Sequence, residues 1–195
     1  MRRSLSIACL TLVAVLPAAS ALRAQAIQQF DYKVLATNKT STMEKELNQG
    51  AAAGYRFLHA MGGETAFGGK EVVAIMGRSG AAQPHYQYKL LATNRTSTMQ
   101  KELQQASDGG YEYRDQTVFE STFGGKEVAS IMERDLNNRT PAAYKYFLLA
   151  TSKTSTMQKE LQQAGEQGYE FLGLTVGKTA MGGNEIVTIT RKRIQ

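Results

Sequence analysis

The sequence is poor in the residues that carry most enzymatic chemistry. Its 195 residues include one cysteine, two histidines and three prolines, and there is no tryptophan. The cysteine, Cys9, lies in an apolar N-terminal segment, so the rest of the chain has no disulfide, cysteine nucleophile or thiolate metal site. His59 and His85 recur in no other part of the chain and are interpreted as incidental. The sequence therefore predicts no metal site and no cofactor.

The N-terminal residues have the pattern of a secretory signal peptide. Arg2 and Arg3 precede the apolar run 7–17, and Ala24-Gln25-Ala26 supplies a cleavage site with small residues. The apolar run is shorter than the roughly 20 residues that span a bilayer, which favours cleavage over an uncleaved anchor. We expect a periplasmic or secreted protein that begins at Ile27 and has no membrane span after cleavage.

The charge of the chain is modestly basic. The formal net charge is +6, and three of the basic residues but no acid lie in the expected signal peptide. Basic and acidic residues are interleaved through the rest of the chain, which is typical of an ordinary solvated surface. Because a nucleic-acid-binding protein usually carries a basic stripe, we expect no nucleic-acid partner.

An internal repeat is the most informative feature of the sequence. Segment 35–43 returns as 91–99 and again as 149–157, and between 90–106 and 148–164 15 of 17 positions agree. Short polar joints separate the copies. The sequence thus predicts a signal peptide and three repeat modules, at residues 1–26, 27–79, 86–135 and 144–195.

Each module begins with the pattern of a strand followed by a helix. Phe30, Tyr32 and Val34 alternate with polar or smaller residues at period two, which indicates a strand. Ser41, followed three residues later by Glu44, is typical of a capping box at a helix start. The same spacing recurs in the other modules as Ser97 with Gln100 and Ser155 with Gln158.

Glycines mark the end of each helix and the next chain reversal. Gly54, Gly110 and Gly168 stand where a left-handed residue would close the helix. A second strand follows, and a Gly-Gly step predicts a tight hairpin at 68–69, 124–125 and 182–183. Each module therefore reads β-α-β-β, an α+β unit with a three-stranded sheet and one helix on one face.

The third strand is apolar on both faces. If Val73 and Ile75 face the helix, then Val72, Ala74 and Met76 face away from it. A module of about 50 residues buries too little surface to be stable alone, so we expect the three modules to pack together. An odd number of sheets would leave one apolar face for a protein partner or for self-association.

The repeated unit resembles a known bacterial family. Its Tyr-x-x-Leu strand, its helix ending in Gly-Tyr-x-Phe and a closing strand that runs into Arg or Lys are similar to domain of unknown function 4177, a small β-α-β-β module. The resemblance covers 30–78, 86–134 and 144–192. It implies the β-α-β-β fold and no catalytic residues.

The loop that begins each helix is a candidate anion-binding site. It places a cation and hydroxyl groups beside the free N–H groups of a helix start, where a small anion is stabilised. Capping of the helix alone is the competing interpretation. These helix-start loops contain Lys39, Ser41 and Thr42; Arg95, Ser97 and Thr98; and Lys153, Ser155 and Thr156.

Repeated glutamates offer a second, enzymatic hypothesis. One set lies in the helices and the other follows the hairpins, and paired carboxylates can catalyse hydrolysis. Pairing with neighbouring basic residues is the favoured interpretation. The sequence thus predicts a non-enzymatic exported binding or assembly protein, with a hydrolase as the alternative. The repeated glutamates are Glu46, Glu102, Glu160, Glu71, Glu127 and Glu185.

Overall fold

The structure is a computed structural model that describes most of the chain after the expected signal peptide. The described residues are 29–64, 70–80, 83, 85–93, 95–120, 126–178 and 184–194. The expected signal peptide, its cleavage site and the Gly-Gly hairpin turns lie outside the described residues.

Each module contributes one helix and three strands, in the predicted order. Module 1 contains β1 (Phe30–Thr37), α1 (Thr40–Ala52), β2 (Arg56–Glu64) and β3 (Lys70–Ser79). Module 2 contains β4 (Tyr86–Thr93), α2 (Thr96–Asp108), β5 (Glu112–Glu120) and β6 (Lys126–Asp135). Module 3 contains β7 (Tyr144–Thr151), α3 (Thr154–Glu166), β8 (Glu170–Lys178) and β9 (Asn184–Arg193).

The strands of each module form an antiparallel three-stranded sheet. The strand orders are β1-β3-β2, β4-β6-β5 and β7-β9-β8, so the last strand of each module is central. The registers match, since Tyr32 pairs with Gly77, Tyr88 with Glu133 and Tyr146 with Arg191. The predicted α+β fold with three modules packed together is confirmed.

The sequence predicted the C-terminal ends of the helices correctly, but not the capping of their N-terminal ends. Each helix closes before a glycine with positive φ, 82° at Gly54, 81° at Gly110 and 83° at Gly168, as expected. The capping box was wrong, because α1 begins at Thr40 with an extended Lys39 as its N-cap and no side-chain cap. The N–H of Lys39 instead donates to Oγ1 of Thr37 at 3.2 Å.

The three modules stack through both their helices and their sheets. Helix α1 packs on the sheet of module 1 and along the edge strand β4 of module 2, and α2 does the same with its own sheet and β7, while β2 and β3 contact β5 directly and β5 and β6 contact β8. The first core contains Leu35, Met43, Leu47, Ala51, Phe57, Ala60, Val72, Ala74 and Met76 of module 1, with Tyr88, Phe119, Ala129 and Ile131 of module 2. The second contains Leu91, Met99, Leu103, Ala106, Tyr111, Tyr113, Val128 and Met132 of module 2, with Tyr146, Val187 and Ile189 of module 3.

The orientation expected for the third strand was reversed. Val72, Ala74 and Met76 are buried against the helix of their own module, while Val73 and Ile75 are half-buried on the opposite face. In module 2 that opposite face carries Ala129 and Ile131, which pack against module 1. The sheets of modules 2 and 3 are covered on both faces, so alternation of apolar residues in the repeat does not reveal which face carries the helix.

No helix in the described part of the chain combines the length and the apolar character needed to cross a bilayer.

Candidate functional site

Polar side chains of one helix bind the edge strand of the next module. In α1, Oε2 of Glu44 accepts the N–H of Leu90 at 2.7 Å. Asn48 binds both backbone groups of Tyr88, donating to its carbonyl oxygen and accepting from its N–H, each at 2.9 Å. The helix therefore satisfies backbone groups of β4 that an edge strand would otherwise leave open.

The next boundary repeats this contact with glutamines. Gln100 donates to the carbonyl oxygen of Tyr146 at 2.6 Å and accepts the N–H of Leu148 at 2.8 Å. Gln104 binds the carbonyl oxygen of Tyr144 and the N–H of Tyr146, both at 3.1 Å. Glu44 and Gln100, expected to cap their own helices, thus serve the neighbouring module.

A buried carboxylate joins modules 1 and 2. Glu133 is 2 % exposed and accepts hydrogen bonds from Arg56 of module 1 at 2.9 Å and from Arg114 at 2.9 Å. The Tyr88 hydroxyl donates to Glu133 at 2.8 Å and accepts the N–H of Phe57 at 2.8 Å. Burial and the Glu133 charge raise the pKa of Tyr88 above its usual value, and the hydrogen bond to Glu133 raises the pKa of Arg56.

The boundary between modules 2 and 3 carries the same pair with its charges exchanged. Glu112 occupies the position of Arg56, and Arg191 occupies the position of Glu133. Their side chains approach to 3.4 Å. At the first boundary the later module supplies the acid, and at the second boundary the later module supplies the base. The position of Glu133 and Arg191 is occupied in module 1 by Gly77.

The outer strands β2 and β5 approach closely at the first boundary. The N–H of Gly62 donates to Oγ1 of Thr117 at 2.8 Å, and a Cβ at Gly62 would overlap the carbonyl oxygen of Val118. His59, expected to be incidental, pairs with Asp115 at 2.7 Å. Asp115 also accepts the N–H of Ala60 at 2.9 Å. Sequence reasoning missed this contact because His59 and Asp115 lie in different modules.

The outer face of the first sheet is exposed and apolar. We call this surface the head face, and Tyr32 and Val34 on it are 60 % and 63 % exposed. The residues equivalent to Tyr32 in the other modules, Tyr88 and Tyr146, are almost fully buried against the preceding module. The head face consists of Phe30, Tyr32, Val34, Leu58 and Met61.

The opposite end of the stack has a second apolar surface. We call it the tail face, formed by α3 and β8 with Met157, Leu161, Phe171, Leu174 and Val176. Phe171 is 53 % exposed, whereas the equivalent Phe57 and Tyr113 are buried by the following module. The side chains exposed on the two end faces thus have equivalents that are buried at the interior boundaries.

The three helix-start loops face solvent. In the part of the chain that the structure describes, no single cleft contains residues of more than one of them. Lys39, Arg95 and Lys153 are exposed N-caps, and no side chain caps the free N–H groups of the helices that follow. Thr40 and Ser41 line a cleft with Glu44 of the same helix and Glu102 of α2. Anion binding at these loops stays a prediction.

The repeated glutamates that line clefts lie apart from one another. Glu71 lines a cleft of about 430 Å³ with Glu120, which pairs with Lys70. Glu102 lines a different cleft beside the start of α1. Across the described residues, no three His, Cys, Asp or Glu side chains group in a way that would hold a metal ion.

Comparison of the chain with models of known protein families, with curated proteins and with solved structures found no match.

Proposed function

We propose that this chain is an exported, non-enzymatic assembly protein that acts through its head and tail faces. The observation that carries the proposal is the contrast between equivalent side chains in the three modules. Tyr32 is 60 % exposed while Tyr88 and Tyr146 are buried, and Phe171 is exposed while Phe57 is buried. The two ends of the stack therefore expose side chains whose equivalents are buried at the boundaries between modules.

The physical reason is the free energy of burying apolar area. Transfer of apolar surface from water gains about 25 cal/mol for each Å² that becomes buried. Large contiguous apolar patches on a protein surface are typical of interaction sites. The head face adds open backbone groups of the edge strand β1, which favour a partner that can bind a strand edge. The resemblance to domain of unknown function 4177 adds no ligand to this proposal.

Site-specific photo-crosslinking in the native host tests the proposal. A photoreactive residue placed at Val34 or at Phe171 should form adducts with protein. The same residue at Leu136, which is exposed but lies in the joint between modules 2 and 3, is the matched control and should form none. Equal labelling at all three positions, or no adduct at either end face, would contradict an assembly function.

A further inference from the structure

Building on the proposed function, we infer that the partner of each end face is a second copy of this chain. The head face of one copy binds the tail face of another, and this contact repeats the one by which module 3 covers module 2. Four features carry the inference: the tail helix, the edge of β1, the Tyr32 hydroxyl, and the charges at the joint.

The tail helix carries the residues that bind a strand edge, but it has no strand to bind. The first eleven residues of α2 and α3 are identical. In α2, Gln100 and Gln104 hydrogen-bond the backbone of β7. Their equivalents in α3, Gln158 and Gln162, are exposed. Helix α3 therefore offers the same pair of amide groups to a strand that lies outside its own chain.

The head face presents the strand that fits this helix. Strand β1 is an edge strand with the same register as β4 and β7. By this register, Tyr32 and Val34 occupy the positions of Tyr146 and Leu148, whose backbone the glutamines of α2 bind. No hydrogen bond from a helix side chain reaches the backbone of β1 within the described residues. Gln158 and Gln162 of a second copy would supply these bonds.

A tyrosine hydroxyl completes the match. Tyr88 and Tyr146 each accept a backbone N–H from the second strand of the preceding module, that of Phe57 at 2.8 Å and that of Tyr113 at 3.0 Å. At the joint between two chains, the equivalent acceptor is the Tyr32 hydroxyl and the equivalent donor is the N–H of Phe171. Both side chains are more than half exposed in the single chain.

The charges permit this joint. The position that holds Arg56 or Glu112 at the interior boundaries is Glu170 in module 3, and it would meet Gly77, which has no side chain. Glu170 is already bound by Arg191 at 2.6 Å in its own module. No like-charged pair arises at this position, and the missing cross-boundary ion pair makes this contact weaker than the two interior ones. Because the head face and the tail face are different surfaces of the chain, the contact is heterologous and yields open chains or closed rings.

Two charge variants test the inference in the purified mature chain. The mass of the unaltered protein, measured by light scattering during size-exclusion chromatography, should exceed that of one chain and rise with concentration. Val34→Glu blocks the head and Phe171→Glu blocks the tail, so each variant alone should be a monomer. Mixing the two should give a dimer and nothing larger, because each retains the end that the other lacks.

Controls keep the result interpretable. Leu136→Glu introduces the same charge at an exposed apolar residue outside both faces and should assemble as the unaltered protein does. Circular dichroism should show unchanged folding in the variants, since the replaced side chains are exposed. If Phe171→Glu fails to fold, Gln162→Lys on the tail helix replaces it in the mixing experiment.

The outcomes separate this inference from the proposed function. A chain that stays monomeric at every concentration, or a Val34→Glu variant that still dimerises alone, overturns the head-to-tail contact. A different protein crosslinked to Val34 in the host would also overturn it, yet would keep the proposed function. The proposed function itself falls only if neither end face forms adducts in the host, or if the Leu136 control is labelled equally.

Discussion

Replacing Gly62 by alanine should separate the outer strands of modules 1 and 2. The added Cβ would overlap the carbonyl oxygen of Val118 and lie 3.2 Å from Oγ1 of Thr117. The backbone of β5 cannot rotate away as a long side chain would, so the two strands must move apart. Gly63, the next residue along β2, is the matched control because a Cβ added there would have no atom within 4 Å.

The expected loss follows from three contributions. Overpacking at a close contact costs about 1–3 kcal/mol. Losing the hydrogen bond from the N–H of Gly62 to Thr117 costs about 1 kcal/mol. Alanine reduces the entropy of the unfolded chain, which returns roughly 0.4–1 kcal/mol. Gly62→Ala should therefore lower the free energy of unfolding by about 2 kcal/mol, whereas Gly63→Ala should leave it unchanged or slightly higher.

Urea denaturation of the two variants measures this difference, and hydrogen exchange locates it. In Gly62→Ala, amides of β2 and of β5 should exchange faster. Equal stabilities for the Gly62 and Gly63 variants would refute the close approach of β2 and β5, and with it the packing of modules 1 and 2 along this edge.

Further predictions concern cooperativity, alkaline pH, anions and export. Ile131→Asp buries a charge between modules 1 and 2 and should destabilise both by about 3–5 kcal/mol, seen as faster exchange in each. The raised pKa of Tyr88 means that its contribution to stability is full below about pH 10 and falls above it; Tyr88→Phe should flatten that fall in urea titrations. Alanine at the three helix-start cations should weaken phosphate binding measured by calorimetry. Intact mass from the native host should correspond to a chain that begins at Ile27.

Each of these has an outcome that contradicts it. Full protection of module 1 in the Ile131 variant would make the modules independent. If Tyr88→Phe leaves the decrease of the unfolding free energy above about pH 10 unchanged, Tyr88 is not buried beside Glu133. No saturable phosphate binding by the unaltered chain would leave the helix-start loops with a structural role only. A retained Met1 would exclude signal cleavage.

The sequence predicted the module and its order well because local signals specify them. Glycines with positive φ end all three helices, and period-two alternation marks the strands. The capping box failed for a physical reason, since Glu44 satisfies the backbone of β4 instead of the helix to which it belongs. The Glu44 carboxylate could accept a hydrogen bond from its own helix or from a neighbouring strand. Which bond forms depends on residues of another module, and the local sequence does not contain them.

The end faces could not be predicted from the repeat alone. Tyr32, Tyr88 and Tyr146 occupy equivalent positions with the same residue type, yet only Tyr32 is exposed. Their burial depends on whether a module precedes them in the stack, which is a property of the array and not of the local sequence. The same holds for Phe57 and Phe171 at the other side of the module.

The exchanged charges at the two interior boundaries restrict how the number of modules can change. Loss of module 2 through recombination between copies would bring Arg56 against Arg191, and duplication of module 2 would bring Glu112 against Glu133. Like charges facing each other in an interface cost several kcal/mol. An array built this way is expected to lose stability when it gains or loses its middle module unless a compensating substitution follows, so the ion pairs select for the number of modules as well as for the fold.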